Sequence, residues 1–267
     1  MARQTIALIG AGRMGTALAT GWINARKKPE IILVDPKPSD LICAMAEEEG
    51  LLLNPAPAPV DVVVVAVKPQ IFADVASDIK AWIGPKTLVL SIMAGIRLKD
   101  LVSALGTEKV LRAMPNTPGA VGQGVTIITA PEDTPKTNIT TAINLLKPLG
   151  VVVGPVHETQ ISAMTGISGC GPAYVFLMVE ALAAAGEAEG IAPDTALMLA
   201  RETLIGAAAL LEDESDHPED LRKAVTSKGG VTQAALDVLM RGDGLPSLMR
   251  EAVRAAASRE RALSSGK

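Results

Sequence analysis

The sequence predicts an α/β protein, a doubly wound sheet followed by an all-helical domain. Three observations carry this. Short β-branched runs alternate with helical stretches up to about residue 155, a glycine-spaced turn joins the first run to the first helix, and after Gly154-Pro155 the β-branched runs give way to Ala, Leu, Met and Glu at helical spacing. The expected division is therefore 1–155 for the sheet domain and 156–267 for the helical one.

In chain order, strands are expected at 5–9, 31–35, 61–67, 87–92, 109–114, 124–129 and 151–154, and the helices between them include 14–25, 70–82, 98–105 and 135–149. The Pro-rich stretch 54–60 reads as a connecting loop, because proline cannot donate to a ladder. Helices are expected over 158–166, 172–190, 193–213, 218–225, 231–240 and 246–263. Pro172, Pro193, Pro218 and Pro246 each sit where a first-turn proline is tolerated. Residues 264–267 read as a free tail.

The first turn is the most specific feature. Thr5 to Ile9 is apolar, Gly10, Gly12 and Gly15 follow with GxGxxG spacing, and an alanine-rich helix comes next. Gly10 permits a tight turn, Gly12 lets backbone approach a pyrophosphate, and Gly15 lets the helix lie close on the sheet, with Arg13 and Met14 inside the binding turn. The helix N-terminus, with unpaired N–H groups and a positive dipole end, favours the phosphates. Asp35 ends the second apolar run twenty residues after Gly15, where an acid accepts hydrogen bonds from an adenosine ribose. The first domain is thus read as a Rossmann-type domain with a dinucleotide site, against the plainer reading that Gly10 to Gly15 only pack a helix and Asp35 only starts an Asp-Pro turn.

In such a sheet, ligands lie beyond the C-terminal strand ends. The expected tips carry Ala66-Val67-Lys68-Pro69, Ala94-Gly95 and Asn116, small residues and prolines suited to a flat ligand. Lys68 reads equally as a solvated charge, and Asn116 equally as a turn cap.

Composition narrows the partners. With two Trp, one Tyr, two Phe and a net charge of −4, the chain has neither rings to stack bases nor a basic footprint, so nucleic acid is not expected. No apolar run is read as long enough to span a bilayer, since Asp61 bounds the valine run and Glu180 interrupts 173–186. Cys43 and Cys170 fit neither a disulfide framework nor a metal site, which points to a reducing cytoplasm. His157 and His217 stand far apart, so no metal is expected. Several late helices are apolar on more than one face, as in 174–179 and 196–200, which predicts a homo-oligomer built at least on dimers.

In the helical domain, Ser227-Lys228-Gly229-Gly230 precedes a helix that starts with Val231-Thr232. Two glycines free backbone N–H groups to converge, Ser227 adds a hydroxyl, and the dipole adds positive charge, which suits a carboxylate-sized anion. A plain serine cap on a glycine turn fits the spacing as well. A third segment, 168–174, places small residues before a long helix; close helix packing is the favoured reading, and Cys170 has no His or acid near it in sequence to make it a nucleophile.

Taken with Ala66 to Pro69, Met114-Pro115-Asn116-Thr117-Pro118, Gly169-Cys170-Gly171-Pro172-Ala173-Tyr174 and Ser227 to Thr232, the chain resembles the pyrroline-5-carboxylate reductase family over essentially its whole length. The resemblance implies reduction of the cyclic imine Δ1-pyrroline-5-carboxylate to L-proline by NADPH or NADH, in a cleft between a nucleotide domain and a dimerising helical domain. It implies that Ser227 and the backbone of Gly229, Gly230 and their neighbours hold the substrate carboxylate and that Thr232 bonds the ring nitrogen; Lys228, counted with the substrate-binding residues, either strengthens that anion binding or points to solvent. Imine reduction needs no strong base, so the lack of a catalytic triad fits. Hydroxyacid dehydrogenases of similar architecture take a base from a lysine in the helical domain, and 164–211 contains no Lys. Lys228 stands in place of the family's usual proline, Cys170 of a serine and Arg13 of an asparagine. Two other readings compete: a nucleotide sensor without catalysis, and an oxidoreductase acting on another imine or a hydroxyacid. Cofactor choice stays open, because Asp35 repels a 2′-phosphate that Lys37 and Arg13 attract.

Overall fold

The computed structural model describes residues 3–213 and 216–265. By internal contacts the chain forms two compact units, one reaching Gly169 and resuming at Ala256, the other covering Cys170–Ala255. The expected break after residue 155 thus falls inside the first unit, which also takes in the end of the last helix.

The first unit is an eight-stranded sheet in the order β3-β2-β1-β4-β5-β6-β7-β8. Its strands are β1 Thr5–Ile9, β2 Glu30–Val34, β3 Leu52–Leu53, β4 Val60–Val65, β5 Ile83–Ser91, β6 Val110–Met114, β7 Gly124–Thr129 and β8 Gly150–Val153. Helices α1 (Arg13–Ile23), α2 (Asp40–Glu49), α3 (Phe72–Lys80), α4 (Leu98–Leu105) and α5 (Lys136–Leu146) alternate with them. Strand alternation sends Ile6 and Leu8 to one face, against Leu18 and Trp22 of α1, and Ala7 and Ile9 to the other, with Phe72 and Ile79 of α3. Because both faces are covered, β4 runs Val62 to Val65 without alternation and fully buried, with Asp61 near its start exposed. The buried Trp22 indole donates to the Leu145 carbonyl at 2.7 Å, which ties α1 to α5.

Pairing departs from the expected parallel sheet at one place: β7 runs antiparallel to β6. Between them there is only a short turn of 3-10 helix, Thr117–Val121, and a chain without a crossover helix must fold straight back. After α5 supplies a crossover, β8 lies parallel to β7. Two elements were absent from the sequence reading, the two-residue β3 and α2, which Ser39 caps by accepting from Ile42 N–H. The expected helix at 158–166 is instead a 3-10 turn, Glu158–Gln160, then α6 (Ile161–Met164), then a wider π turn, Thr165–Gly169.

The second unit contains α7 (Gly171–Ala188), α8 (Pro193–Asp213), α9 (Pro218–Ala224), α10 (Val231–Leu239) and the first half of α11 (Leu245–Ser264). Its burial is thin. Along α7 only Ala183 is buried, along α8 only Ala196 and Ala200, while Phe176 and Leu177 are more than 60% exposed. The helical stretch Glu158–Ala188 is, by length and composition alone, apolar enough to cross a membrane. That corrects the expectation that Glu180 breaks the run, since one acid does not outweigh so many apolar neighbours.

The end of α11 is anchored by charge. Arg112 on β6, 2% exposed, donates to Glu260 at 3.0 Å and to Glu158 at 3.3 Å, and Glu158 also accepts from Leu98 N–H at 2.8 Å. Ser162 and Ser264 hydroxyls donate to the Glu260 carboxylate. Of the expected free tail, Ser264 and Ser265 are therefore hydrogen-bonded, and 266–267 lie outside the described residues. Burial alone would raise the Glu260 carboxyl, but the bonds from Ser162, Ser264 and Arg112, with the Arg112 charge, outweigh it and hold it below the usual glutamate range. A depressed folded value means that this stabilisation is present above the unfolded value and is lost as pH falls through the folded one. Replacing Glu260 with Gln is expected to cost about 1–3 kcal/mol at neutral pH and to flatten the loss of stability below about pH 4. Thermal melts across pH check it; a variant with the native acid limb would contradict it.

Candidate active site

The strand order reverses between β2-β1 and β1-β4, and the glycine turn sits at that switch point. Ile9 is in register with both Val34 and Val65, and beyond it Gly10 N–H donates to the Val34 carbonyl at 2.8 Å. Gly10 has φ +94°, and a Cβ there would lie 2.8 Å from the Ala66 carbonyl oxygen. At Gly15 a Cβ would come within 2.3 Å of the Gly10 carbonyl oxygen, so α1 starts hard against the turn. Gly12 is the opposite case: a Cβ would meet nothing within 4 Å, and no side chain caps this end of α1. An uncapped helix start facing open space is what a dinucleotide phosphate pair requires, so the residues fit that group. From the turn a cavity of about 650 Å3 runs along α1, lined by Gly12, Arg13, Thr16, Gly21, Ser39 and Pro148 among others, and it takes in neither Asp35 nor the strand-end residues 66–69 and 94–95.

Asp35 follows β2. One carboxylate oxygen accepts from Ala11 N–H and the other from Lys37 N–H, each at 2.9 Å. Asn54, a residue not singled out from sequence, brackets it: the Asn54 amide donates to the Asp35 carbonyl and accepts from Asp35 N–H. Asn54 takes φ +51°, a conformation asparagine tolerates better than most side chains. Its place in a Pro-rich loop was the available signal.

The other strand-end residues lie along the same edge of the sheet. Ala66 follows β4, with Ala66 N–H donating to the Ile9 carbonyl; Val67 comes next, exposed Lys68 precedes a 3-10 turn without a side-chain bond to it, and Pro69 is the turn's first residue. Ala94 and Gly95 follow β5, Ala94 exposed and Gly95 at φ +73°. Met14 is half-buried on α1, and Arg13 is exposed. Asn116, 9% exposed, donates to the Ser168 carbonyl at 2.9 Å and accepts from Val125 N–H at 2.8 Å. It caps no turn with its side chain; it pins the loop after β6 to the π turn and to β7.

In the second unit, Ser227 begins a turn closed by Gly230 N–H donating to its carbonyl at 3.0 Å, with Gly229 at φ +72°. Gly230 is the residue that precedes α10, whose start has no side-chain cap, and a Cβ on it would fall 2.3 Å from the Ser227 hydroxyl. The hydroxyl therefore stands at the start of α10, next to the first-turn N–H groups. Thr232 lies in that turn and is exposed, as are Lys228 and Val231, and α10 has no buried residue. Tyr174 on α7 is raised above its ordinary value, first by burial and then by the neighbouring Cys170.

Residues 158–263 match the family described as pyrroline-5-carboxylate reductase dimerisation, and 5–95 match that described as NADP oxidoreductase coenzyme F420-dependent. A pyrroline-5-carboxylate reductase of Pisum sativum is 36% identical, with 97% of this chain and 96% of the relative covered. The solved structure of such a reductase from Coxiella burnetii is 33% identical with a TM-score of 0.90, covering 98% of this chain and 99% of that one. A Plasmodium falciparum pyrroline carboxylate reductase, solved with NADP bound, is 27% identical with a TM-score of 0.81, covering 99% of each chain.

The Gly12 geometry separates binding from folding. Gly12→Ala is expected to leave the melting temperature within about two degrees, since its φ of −68° suits any residue, while nucleotide affinity falls at least roughly tenfold. Gly10→Ala is expected to lose both, by about 1–2 kcal/mol of stability. Melts and nucleotide titrations of the two variants check it; equal affinity for Gly12→Ala and the native chain would contradict it.

Proposed function

The chain belongs to the pyrroline-5-carboxylate reductase family, NAD(P)H-dependent oxidoreductases that reduce Δ1-pyrroline-5-carboxylate to L-proline, and we propose that Gly10 to Gly15 hold its nucleotide while Ser227 to Thr232 hold its substrate. A reduced nicotinamide, when bound, supplies the hydride that the imine carbon accepts. On the nucleotide side, the N–H groups of the α1 start, from Arg13 through Gly15, take the phosphates, and Asp35 takes a ribose. The backbone at Ala66 to Pro69 and at Ala94 and Gly95 walls the same strand edge. Asn116 serves by fixing the loop after β6, since its amide already has two partners in the chain.

The observation that carries the substrate assignment is the start of α10. A carboxylate needs converging donors, and here the Ser227 hydroxyl stands at an uncapped helix N-terminus behind two glycines. Lys228, exposed and without an ion pair among the described residues, adds positive charge at the same turn. The Thr232 hydroxyl donates to the ring nitrogen and orients the imine for attack, a positioning role that calls for no base.

Dimerisation follows from the same unit. The exposed apolar faces of α7 and α8 exceed what a monomer leaves in water, and their match to a dimerisation family supports burial against a second copy rather than in lipid. Cys43 and Cys170, both free thiols, support a cytoplasmic setting.

The purified chain is expected to oxidise reduced nicotinamide nucleotide only when the cyclic imine is supplied. Ser227→Ala is expected to raise KM roughly tenfold with kcat little changed, and Thr232→Ala to lower kcat roughly tenfold or more. Steady-state kinetics on both variants test the placement, which fails if neither differs from the native chain. Sedimentation of a species near 27.6 kDa at micromolar concentration would remove the dimer.

A further inference from the structure

Resting on the nucleotide site proposed above, we infer that Asp35 makes this chain select NADH over NADPH. The two nucleotides differ by one phosphate on the adenosine ribose. In this architecture an acid at the tip of the second strand bonds the ribose hydroxyls, whereas NADP binding relies on a nearby cation to meet the phosphate.

The Asp35 carboxylate is held in place. Ala11 N–H, inside the glycine turn, fixes one oxygen, and Lys37 N–H fixes the other, each at 2.9 Å. The Asn54 amide clamps the Asp35 backbone from both sides, so the whole residue has little freedom to swing aside. Each carboxylate oxygen retains a further lone pair, which a ribose hydroxyl satisfies as a donor. A phosphate at the same position offers no comparable donor and sets a second anion against the first. Escape from that repulsion costs both charge-assisted bonds.

Two cations occupy the neighbourhood, Arg13 at the start of α1 and Lys37 two residues beyond Asp35. Both are exposed, and among the described residues neither forms an ion pair with Asp35, so the acid is not neutralised. Their side chains must be ordered from solvent before they meet a phosphate, and exposed charges are screened by salt. The fixed anion outweighs them. This preference is opposite to the nucleotide bound in the Plasmodium falciparum structure.

The test is calorimetric titration of the full native chain with NADH and with NADPH, without substrate, alongside Asp35→Ser and Asp35→Asn, with thermal melts to identify folded variants. The native chain is expected to bind NADH at least about tenfold more tightly, the worth of a charged hydrogen bond. In either folded variant the ratio is expected to fall to near unity or reverse, mainly through tighter NADPH binding. Native binding of NADPH as tight as that of NADH overturns the inference. A native preference that survives in both variants also overturns it, since the selection then resides elsewhere. Binding of neither nucleotide would instead refute the underlying dinucleotide site.

Discussion

The close approach of the α1 start to the end of β1 governs this molecule. Side chains at Gly10 and Gly15 would each collide with backbone, against Ala66 and Gly10 respectively. Without them, the helix can begin at the strand order's reversal with its N–H groups turned toward open space at Gly12. Strand order, turn and dipole converge there, and no charged side chain is needed to make an anion site. Asp35 and Asn54 then stabilise the neighbouring strand tip through bonds to backbone, one of them to the turn itself.

The two units solve the burial problem differently. The first is closed, with a double layer of helices, a β4 whose Val62 to Val65 are buried on both faces, and a buried arginine whose charge is met by Glu158 and Glu260. The second, Cys170–Ala255, leaves most of α7, α8 and α10 unburied, more apolar surface than a unit of that size leaves in water alone. With the proposed substrate bend leading into α10, dimerisation bears on the site as well as on stability. Chemistry of this kind asks for donors in position rather than a tuned base, consistent with a bend rich in backbone and hydroxyl donors.

Local patterns were legible where one short segment carries the whole signal. β1, the glycine turn, α1 and Asp35 read directly, because spacing and chirality fix them within a few residues. The bend at Ser227 to Gly230 was equally visible. Features that depend on distant neighbours were not. The clamp on Asp35 needs Asn54, which β3 brings beside β2, and β3 is two residues long. α2 was missed because Leu41 is exposed and three glutamates end the helix, which blurs its apolar stripe. The reversal of β7 follows from the lack of a crossover helix, a matter of loop length rather than strand pattern. Arg112 and Glu260 lie 148 residues apart, and only the fold reveals them as partners.

The central claim, that backbone of the glycine turn receives the dinucleotide, is tested most directly by following backbone amide resonances during an NADH titration. The account predicts saturable shifts at Gly12, Arg13, Met14 and Gly15, with the same apparent affinity at Ala11 and Lys37. Shifts confined to other regions, with those amides unmoved at saturation, would contradict it.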